Sequence, residues 1–317
     1  MRAPHYAGIR TVVLGASGFL GGHVARTLVR EGGVVVLVIR DAARAEGLRR
    51  ELGAAATLVV SDLTVAGAIG DVLARHRPGA VFNMTAFGVD PSERDEFMSE
   101  RINVDLPAEI AEAMAESGDR SWPGQQVVHV GSALEYGTAS GDLHEQTPCT
   151  PTTLYGRTKL AGTERLADTG KRLGVRTVTG RLFTVYGPGE GDGRLLPTLL
   201  AAARTTDPIR LSAGLQLRDF TFADDATEGL LRLGALPAPD LGVVNIATGR
   251  LTTVREFTEV AADVLGIAKA RLEFGALPTR AEEMRHDPVR IRRLAELTGW
   301  TPARAIRDGI ERTRDAR

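Results

Sequence analysis

The amino-terminal part of the chain alternates short apolar runs with longer segments of helical periodicity, and this alternation constrains the fold most. The second run, at residues 34–39, is apolar and β-branched throughout, as in a strand covered on both faces. Strands that alternate with helices form right-handed crossovers and a parallel sheet. We therefore predict a doubly wound α/β sheet with a helix at residues 154–173. Its strands are expected at residues 11–15, 34–39, 57–61, 80–83, 126–130 and 175–179.

The pattern becomes irregular beyond residue 184. Residues 187–193 form a loop by composition, because four of them are glycines. We predict a main domain of residues 1–183 plus about 219–250, to which the run at 243–247 returns as a strand. Residues from about 184–218 and 251–317 are expected to form a smaller α/β lobe over the carboxyl edge of the sheet, where open α/β sheets bind ligands.

Composition argues against several classes of function. The 317 residues include 39 Lys+Arg and 40 Asp+Glu, so no basic excess is available for nucleic acid. The single cysteine, Cys149, excludes an internal disulfide and a cysteine-rich metal site. No apolar run approaches the roughly 18 residues that span a bilayer. We expect a cytoplasmic protein with no metal and no membrane or nucleic-acid partner.

A glycine-rich turn, Gly15-Ala-Ser-Gly18-Phe-Leu-Gly21, follows the first predicted strand and opens a helix. This context is typical of a dinucleotide site, in which a tight turn brings pyrophosphate to the helix N-terminus. The main domain is therefore expected to bind NAD(P). The candidate contacts in this turn are Gly15, Ser17, Gly18, Phe19 and Leu20.

The end of the second strand bears on the choice of cofactor. An NAD site needs a carboxylate there for the ribose hydroxyls, whereas an NADP site needs an arginine for the 2′-phosphate. Arg40 follows an apolar strand tip, and Asp41 is expected to point away. NADP is favoured, with NAD as the second choice. After the third strand, Asp62 is either an adenine contact, with Leu63 on the ring, or a helix cap.

The motif Tyr155-Gly-Arg-Thr-Lys159 is the strongest indication of chemistry. The spacing of four places the two side chains on one face of the predicted helix. A lysine ammonium beside a phenol lowers its pKa from about 10, so that Tyr155 exchanges protons near neutral pH. Ser132, at the end of the fifth strand, is positioned to hold a substrate oxygen.

These features resemble the extended short-chain dehydrogenases/reductases of the nucleotide-sugar epimerase, dehydratase and ketoreductase type. The resemblance covers essentially the whole chain and implies a Rossmann-type fold with a substrate-binding lobe. It also implies a catalytic triad of Ser132, Tyr155 and Lys159, with Lys159 on the nicotinamide ribose. The matching segments, in order, are residues 15–21, 62–63, 155–159, 181–188, 218–225 and 298–302.

The resemblance implies further contacts. Ala86, in the segment after the fourth strand, is a candidate cofactor contact, and Arg218 is expected at the nucleotide diphosphate or in an ion pair. Thr184 stands where epimerases commonly have asparagine and is a candidate substrate contact. Glu135 stands where an apolar residue is usual, and either touches the sugar or forms a surface ion pair.

The two residues that follow Ser132 reduce the number of reactions that the resemblance allows. Hexose 4,6-dehydratases carry an Asp-Glu pair directly after the triad hydroxyl, but this chain has Ala133 and Leu134, which supply neither acid nor base. Leu134 also argues against the decarboxylases, which use glutamate there.

We therefore expect an NADPH-dependent ketoreductase that acts on a nucleotide-activated 4-keto-6-deoxysugar, with Tyr155 as the general acid. The alternatives are a 4-epimerase with bound NAD(P), a reductase of a non-sugar carbonyl, and a non-catalytic NADP sensor. The resemblance also implies a homodimer through helices near residues 93–117 and 154–173.

Overall fold

The computed structural model describes residues 5–89, 93–278 and 286–316. The strands in this part of the chain are β1 (Arg10–Leu14), β2 (Val34–Ile39), β3 (Ala56–Val60), β4 (Ala80–Asn83), β5 (Val127–Ser132), β6 (Thr177–Leu182), β7 (Thr184–Tyr186), β8 (Ile209–Leu211), β9 (Leu217–Arg218), β10 (Phe220–Phe222), β11 (Gly242–Ile246), β12 (Thr252–Thr253) and β13 (Leu272–Phe274). The helices are α1 (Phe19–Arg30), α2 (Glu46–Leu52), α3 (Ala68–His76), α4 (Glu96–Glu100), α5 (Leu106–Ser117), α6 (Leu154–Leu173), α7 (Leu195–Ala202), α8 (Ala223–Gly234), α9 (Val254–Leu265), α10 (Arg292–Thr298) and α11 (Ile306–Asp315).

Within these residues, seven strands form one sheet in the order β11-β6-β5-β4-β1-β2-β3, and every neighbouring pair is parallel. The chain starts in the middle, winds outward to β3, and returns through β4 to the other edge. The predicted Rossmann-type α/β fold is confirmed, and the predicted run at 243–247 is β11. All carboxyl ends of the strands therefore meet at one edge of the sheet.

Strand side chains alternate between two apolar layers because successive residues point to opposite faces. Val13 and Leu37 pack on the face covered by α1 and α8, whereas Val12 and Val36 pack on the face covered by α3, α5 and α6. Both faces are buried, which is why these strands have continuous apolar sequences.

A third apolar cluster lies outside the main sheet. It contains Tyr186 of β7, Phe222 of β10 and Phe257 of α9, and the Tyr186 and Phe257 rings meet edge to face at 5.1 Å. The pairs β7–β10, β8–β13 and β9–β12 form small separate sheets around it. Leu294 of α10, by contrast, packs on the cluster of the main sheet.

Across the described ranges, we find no helix that combines the length and the apolar character required to cross a membrane.

Candidate active site

The turn between β1 and α1 brings the helix close to the sheet. Gly15 has a φ of +71°, a conformation that favours glycine. A Cβ at Gly21 would stand 2.1 Å from the Gly15 carbonyl oxygen, so the first turn of α1 can close only with glycine. Ser17 and Gly18 are exposed just before the helix. An exposed helix N-terminus whose first turn lacks carboxylates suits the negative charge of a pyrophosphate.

The other candidate cofactor contacts near this turn lie at the same edge of the sheet. Phe19 and Leu20 are half-buried in the first turn of α1, and Ala86 is exposed after β4. Leu63, after β3, is buried. The strands preceding them are parallel, so these residues all follow the carboxyl ends of strands in one sheet.

At the end of β2, the structure separates the arginine from the carboxylate. Arg40 is exposed, whereas the Asp41 carboxylate accepts the N–H of Ala43 at 2.9 Å and so caps its own short helix. Asp62 accepts hydrogen bonds from the backbone and hydroxyl of Thr64, which hold the pKa of Asp62 below its usual value. Charge from Arg40 adds to this effect. Both residues are exposed, but the carboxylate is engaged in the helix cap, whereas no such hydrogen bond is found for the Arg40 guanidinium among the described residues.

The three residues of the predicted triad come from two neighbouring elements. Helix α6 begins after Thr153, whose hydroxyl accepts the N–H of Gly156 at 3.0 Å. Tyr155 is half-buried in the first turn and Lys159 is fully buried one turn later. Ser132 ends β5, and its hydroxyl is near enough to the Tyr155 phenol to lower the pKa of that phenol. The serine and the tyrosine thus lie near each other at the carboxyl edge of the sheet.

The electrostatics of Tyr155 differ from our expectation. Burial, followed by the nearby Glu135 carboxylate, raises the pKa of Tyr155 above its usual value, and the Ser132 hydroxyl opposes this only in part. Lys159 was expected to lower it, but the Lys159 Nζ is directed at His129, 3.2 Å away. The phenol therefore stays protonated, which suits a proton donor.

Sequence reasoning missed two residues behind Lys159. His129, inside β5, and Asn83, at the end of β4, are both completely buried. The Asn83 Nδ2 lies 3.1 Å from the His129 Nδ1. The sequence feature that could have revealed them is a polar residue, His129, within an apolar strand, because a buried polar side chain needs a hydrogen-bond partner.

The position of Glu135 differs from the expectation that it touches the sugar or forms an ion pair on the surface. It is neither on the surface nor free for a sugar, because it is fully buried and both of its oxygens are bound. One accepts the Ser132 N–H at 2.6 Å, and the other accepts two N–H groups of Arg181 at 2.7 and 3.0 Å. A Cβ at Gly131 would stand 2.7 Å from the Glu135 Oε1, so glycine makes room for the carboxylate.

A third missed residue, Asn103, fastens the loop after β4 to α6. It lies in a π-helical turn, Arg101–Asp105, and exchanges two hydrogen bonds with the backbone of Phe87. Its Nδ2 also donates to the Thr158 hydroxyl at 2.9 Å. A Cβ at Gly162 would stand 1.7 Å from the Asn103 carbonyl oxygen, so the two helical segments touch backbone to backbone. No local sequence pattern indicates this contact.

The two remaining candidate substrate residues lie beyond the main sheet. Thr184 begins β7 and donates its N–H to the Asp219 carbonyl at 3.0 Å. Arg218 is half-buried in β9, opposite Thr252 of β12, and donates to the Leu217 carbonyl. Both thus belong to the small sheets and not to the wall that carries the triad.

Comparison with known proteins agrees with this fold. Residues 11–247 match the NAD dependent epimerase/dehydratase family. The chain belongs to that family. The family match therefore identifies the chain, in general terms, as an enzyme of the nucleotide-sugar epimerase, dehydratase and dehydrogenase type.

Three proteins that are similar to this chain illustrate the range of activities. The dTDP-6-deoxy-L-talose 4-dehydrogenase (NAD(P)(+)) of Kitasatospora kifunensis is 29% identical, over 98% of this chain and 96% of its own. The UDP-glucose 4-epimerase of Mycolicibacterium smegmatis is 31% identical, over 96% and 97%. The solved structure of MoeE5 in complex with UDP-glucuronic acid and NAD is 28% identical, covers 98% of both chains, and superposes with a TM-score of 0.80.

Proposed function

We propose that this chain is an NADPH-dependent ketoreductase that reduces the ring ketone, at C4, of a nucleotide-activated 4-keto-6-deoxysugar. The observation that carries the proposal is the tip of β2, where Arg40 is exposed and Asp41 is turned into its own helix cap. A guanidinium at that position suits the 2′-phosphate of NADP. Net reduction benefits from NADPH, whereas an epimerase regenerates its cofactor in each cycle.

The chemistry of the triad is consistent with this direction. The cofactor supplies a hydride to the carbonyl carbon. The raised pKa of Tyr155 keeps the phenol protonated, so that Tyr155 can donate the proton that the new alkoxide needs. Ser132 donates a hydrogen bond to the same oxygen as charge develops there. Ketone, hydride and proton together make one alcohol.

The relative from Kitasatospora supports the choice of substrate. Its name describes a 4-dehydrogenase of a dTDP-6-deoxysugar that works with NAD(P)+. Oxidation at C4 of such a sugar is the reverse of the reduction proposed here. Ala133 and Leu134, which follow Ser132, supply no acid or base for the elimination of water.

The experiment is to incubate the protein with NADPH and a panel of dTDP-, GDP-, CDP- and UDP-4-keto-6-deoxysugars, and to follow NADPH oxidation and the sugar product. We expect stoichiometric oxidation with at least one sugar, and none with the variant Tyr155→Phe on the same time scale. Tight NADPH binding without turnover on any keto-sugar or other carbonyl would favour the sensor instead.

A 4-epimerase is the second candidate, because the Mycolicibacterium relative has that name and is 31% identical. An epimerase converts UDP-glucose to UDP-galactose with no net change in cofactor. Incubation with UDP-glucose and bound NAD therefore separates the two candidates.

A further inference from the structure

The environment of Lys159 contains a chain of hydrogen bonds whose direction is fixed at one end. The Asn83 Oδ1 accepts the backbone N–H of Thr85 at 3.2 Å and the Thr85 hydroxyl at 2.6 Å. A backbone N–H only donates, so this contact sets the orientation of the Asn83 amide. The Nδ2 group must then face His129, and it donates to the His129 Nδ1 at 3.1 Å.

This contact fixes the tautomer of His129. Complete burial is the main cause that holds the pKa of His129 well below its usual value, so the imidazole is neutral. A neutral imidazole carries one proton, and the Nδ1 already accepts. The proton therefore lies on the Nε2, which faces the Lys159 Nζ at 3.2 Å.

A proton on the Nε2 of His129 destabilises a lysine ammonium beside it, because two N–H donors cannot form a hydrogen bond with each other. The ammonium has three N–H donors and no lone pair, so two donors would face each other inside a fully buried site. The uncharged amine has a lone pair and accepts the Nε2–H bond. The contact therefore selects between the two protonation states of Lys159.

We propose that Asn83 and His129 are positioning residues that destabilise the ammonium of Lys159 relative to that of a solvated lysine, and that an acceptor which replaces His129 removes this destabilisation. Ribose hydroxyls of a bound cofactor are such acceptors. The proposal rests on the proposed function only in naming that ligand.

The charges around Lys159 do not remove this destabilisation of the ammonium. Glu135, in the turn after β5, favours the ammonium, yet burial prevails and lowers the pKa of Lys159 to about 8. Tyr155, on the same helix, stays neutral because its own pKa is raised. From β5, the group that faces Lys159 is His129, and Asn83 of β4 contacts the far side of that imidazole.

Lys159 can be observed directly, because the chain has only two other lysines, Lys171 and Lys269, and both are exposed. We would label the ε-carbons of lysine with ¹³C, titrate the ligand-free protein by NMR, and assign the signals with Lys171→Arg. A solvated lysine titrates near 10.4. We expect Lys159 to titrate near pH 8. If its signal titrates together with the other two, the proposal is overturned without any variant.

Three variants test the role of the tautomer. Asn83→Asp supplies an acceptor to the Nδ1, which moves the imidazole proton away from Lys159, and Asn83→Leu removes the constraint on the tautomer. Both should raise the Lys159 midpoint, by about one pH unit or more for the aspartate. The control Thr85→Val keeps the backbone N–H that orients Asn83 and should leave the midpoint unchanged. Equal midpoints in the folded Asn83 variants and the wild type would contradict the proposal.

The coupling to the ligand has a separate test. Calorimetry of NADPH binding near pH 9, in two buffers of different ionisation enthalpy, should show uptake of about half a proton or more. Affinity should accordingly fall as the pH rises through 8. Binding without proton uptake would overturn the coupling. Absence of NADPH binding, with Lys159 still titrating near pH 8, would count against the proposed cofactor and not against the lysine environment.

Discussion

Glu135 accepts two hydrogen bonds from Arg181, and the same carboxylate accepts the backbone N–H of Ser132. The ion pair is thus connected directly to the residue that is proposed to hold the substrate oxygen. Both side chains are buried, so each charge depends on the other for compensation.

Glu135→Gln should lower the free energy of unfolding by about 3–5 kcal/mol, because it leaves the Arg181 charge buried without its partner. Urea unfolding measures this change. The double variant Glu135→Met with Arg181→Met should be less destabilised than the sum of the two single changes. As a control, Glu112→Gln breaks an exposed ion pair with Arg172 and should cost less than about 1 kcal/mol. Additive effects at Glu135 and Arg181 would argue against the pair.

Arg40→Ala should weaken NADPH binding by about ten-fold or more and leave NADH binding nearly unchanged, because one charge-assisted contact is worth about 1.5–3 kcal/mol. Fluorescence titration with each cofactor measures the difference. Arg10→Ala is a suitable control, since Arg10 is an exposed arginine at the opposite end of β1. If the wild-type protein binds both cofactors equally, the assignment of NADP is wrong.

Tyr155→Phe removes one oxygen and keeps the ring, so single-turnover reduction should slow by roughly 10²–10⁴ while NADPH affinity survives. Ser132→Ala should likewise act mainly on turnover. Lys159→Ala should damage both turnover and binding, since the proposed ribose contact is lost. Near-normal single-turnover rates in Tyr155→Phe would show that the proton comes from another group.

Glu190, in the loop after β7, should make the free energy of unfolding depend on pH. Burial raises the pKa of Glu190 to about 7, and among the described residues its Oε2 has no hydrogen-bond partner. A carboxyl with a higher pKa in the folded chain destabilises the fold once it ionises, and this cost vanishes below the unfolded pKa. Glu190→Gln should therefore raise the free energy of unfolding at pH 8 by about 1–3 kcal/mol, but not at pH 4. Asp192→Asn, exposed in the same loop, should change neither value.

The dimer remains a prediction for solution measurement. Light scattering at micromolar concentration should give about twice the 33.8 kDa of one chain. Phe97 of α4 is 76% exposed and lies in the segment expected at the interface, so Phe97→Glu should shift the mass towards a single chain. Leu215→Glu, at a position 71% exposed outside that segment, should not. A single-chain mass for the wild type would reject the dimer.

The sequence predicted the centre of the sheet well, because β1, β2 and β4 are buried on both faces and consist largely of apolar residues. Helix α6 was predicted with its observed bounds, since Thr153 caps its start and Gly174 follows its end in the left-handed conformation. Strand β5 extends two residues beyond the prediction, because Gly131 and Ser132 continue the ladder with β6 although neither is apolar.

The interior of the site was harder to predict because its partners are distant in the chain. Arg181 is 46 residues from Glu135, and Lys159 is 30 residues from His129. Periodicity reports which face of an element is buried, but not which polar side chains meet there. Lys159 was therefore placed beside Tyr155 by its spacing, whereas the fold directs its amine towards a histidine.

The contact between Gly162 and the Asn103 carbonyl also sets a rule for redesigning this chain. Even a methyl group at Gly162 would have to displace backbone, so the spacing between the two helical segments cannot be tuned in small steps. The position of Phe87, in the segment after β4, is fixed as well, because its backbone is hydrogen-bonded to Asn103. Substitutions intended to change the substrate should therefore spare the contact between Gly162 and Asn103. Residues beyond Thr184 are better targets, because they lie outside this contact between helical segments.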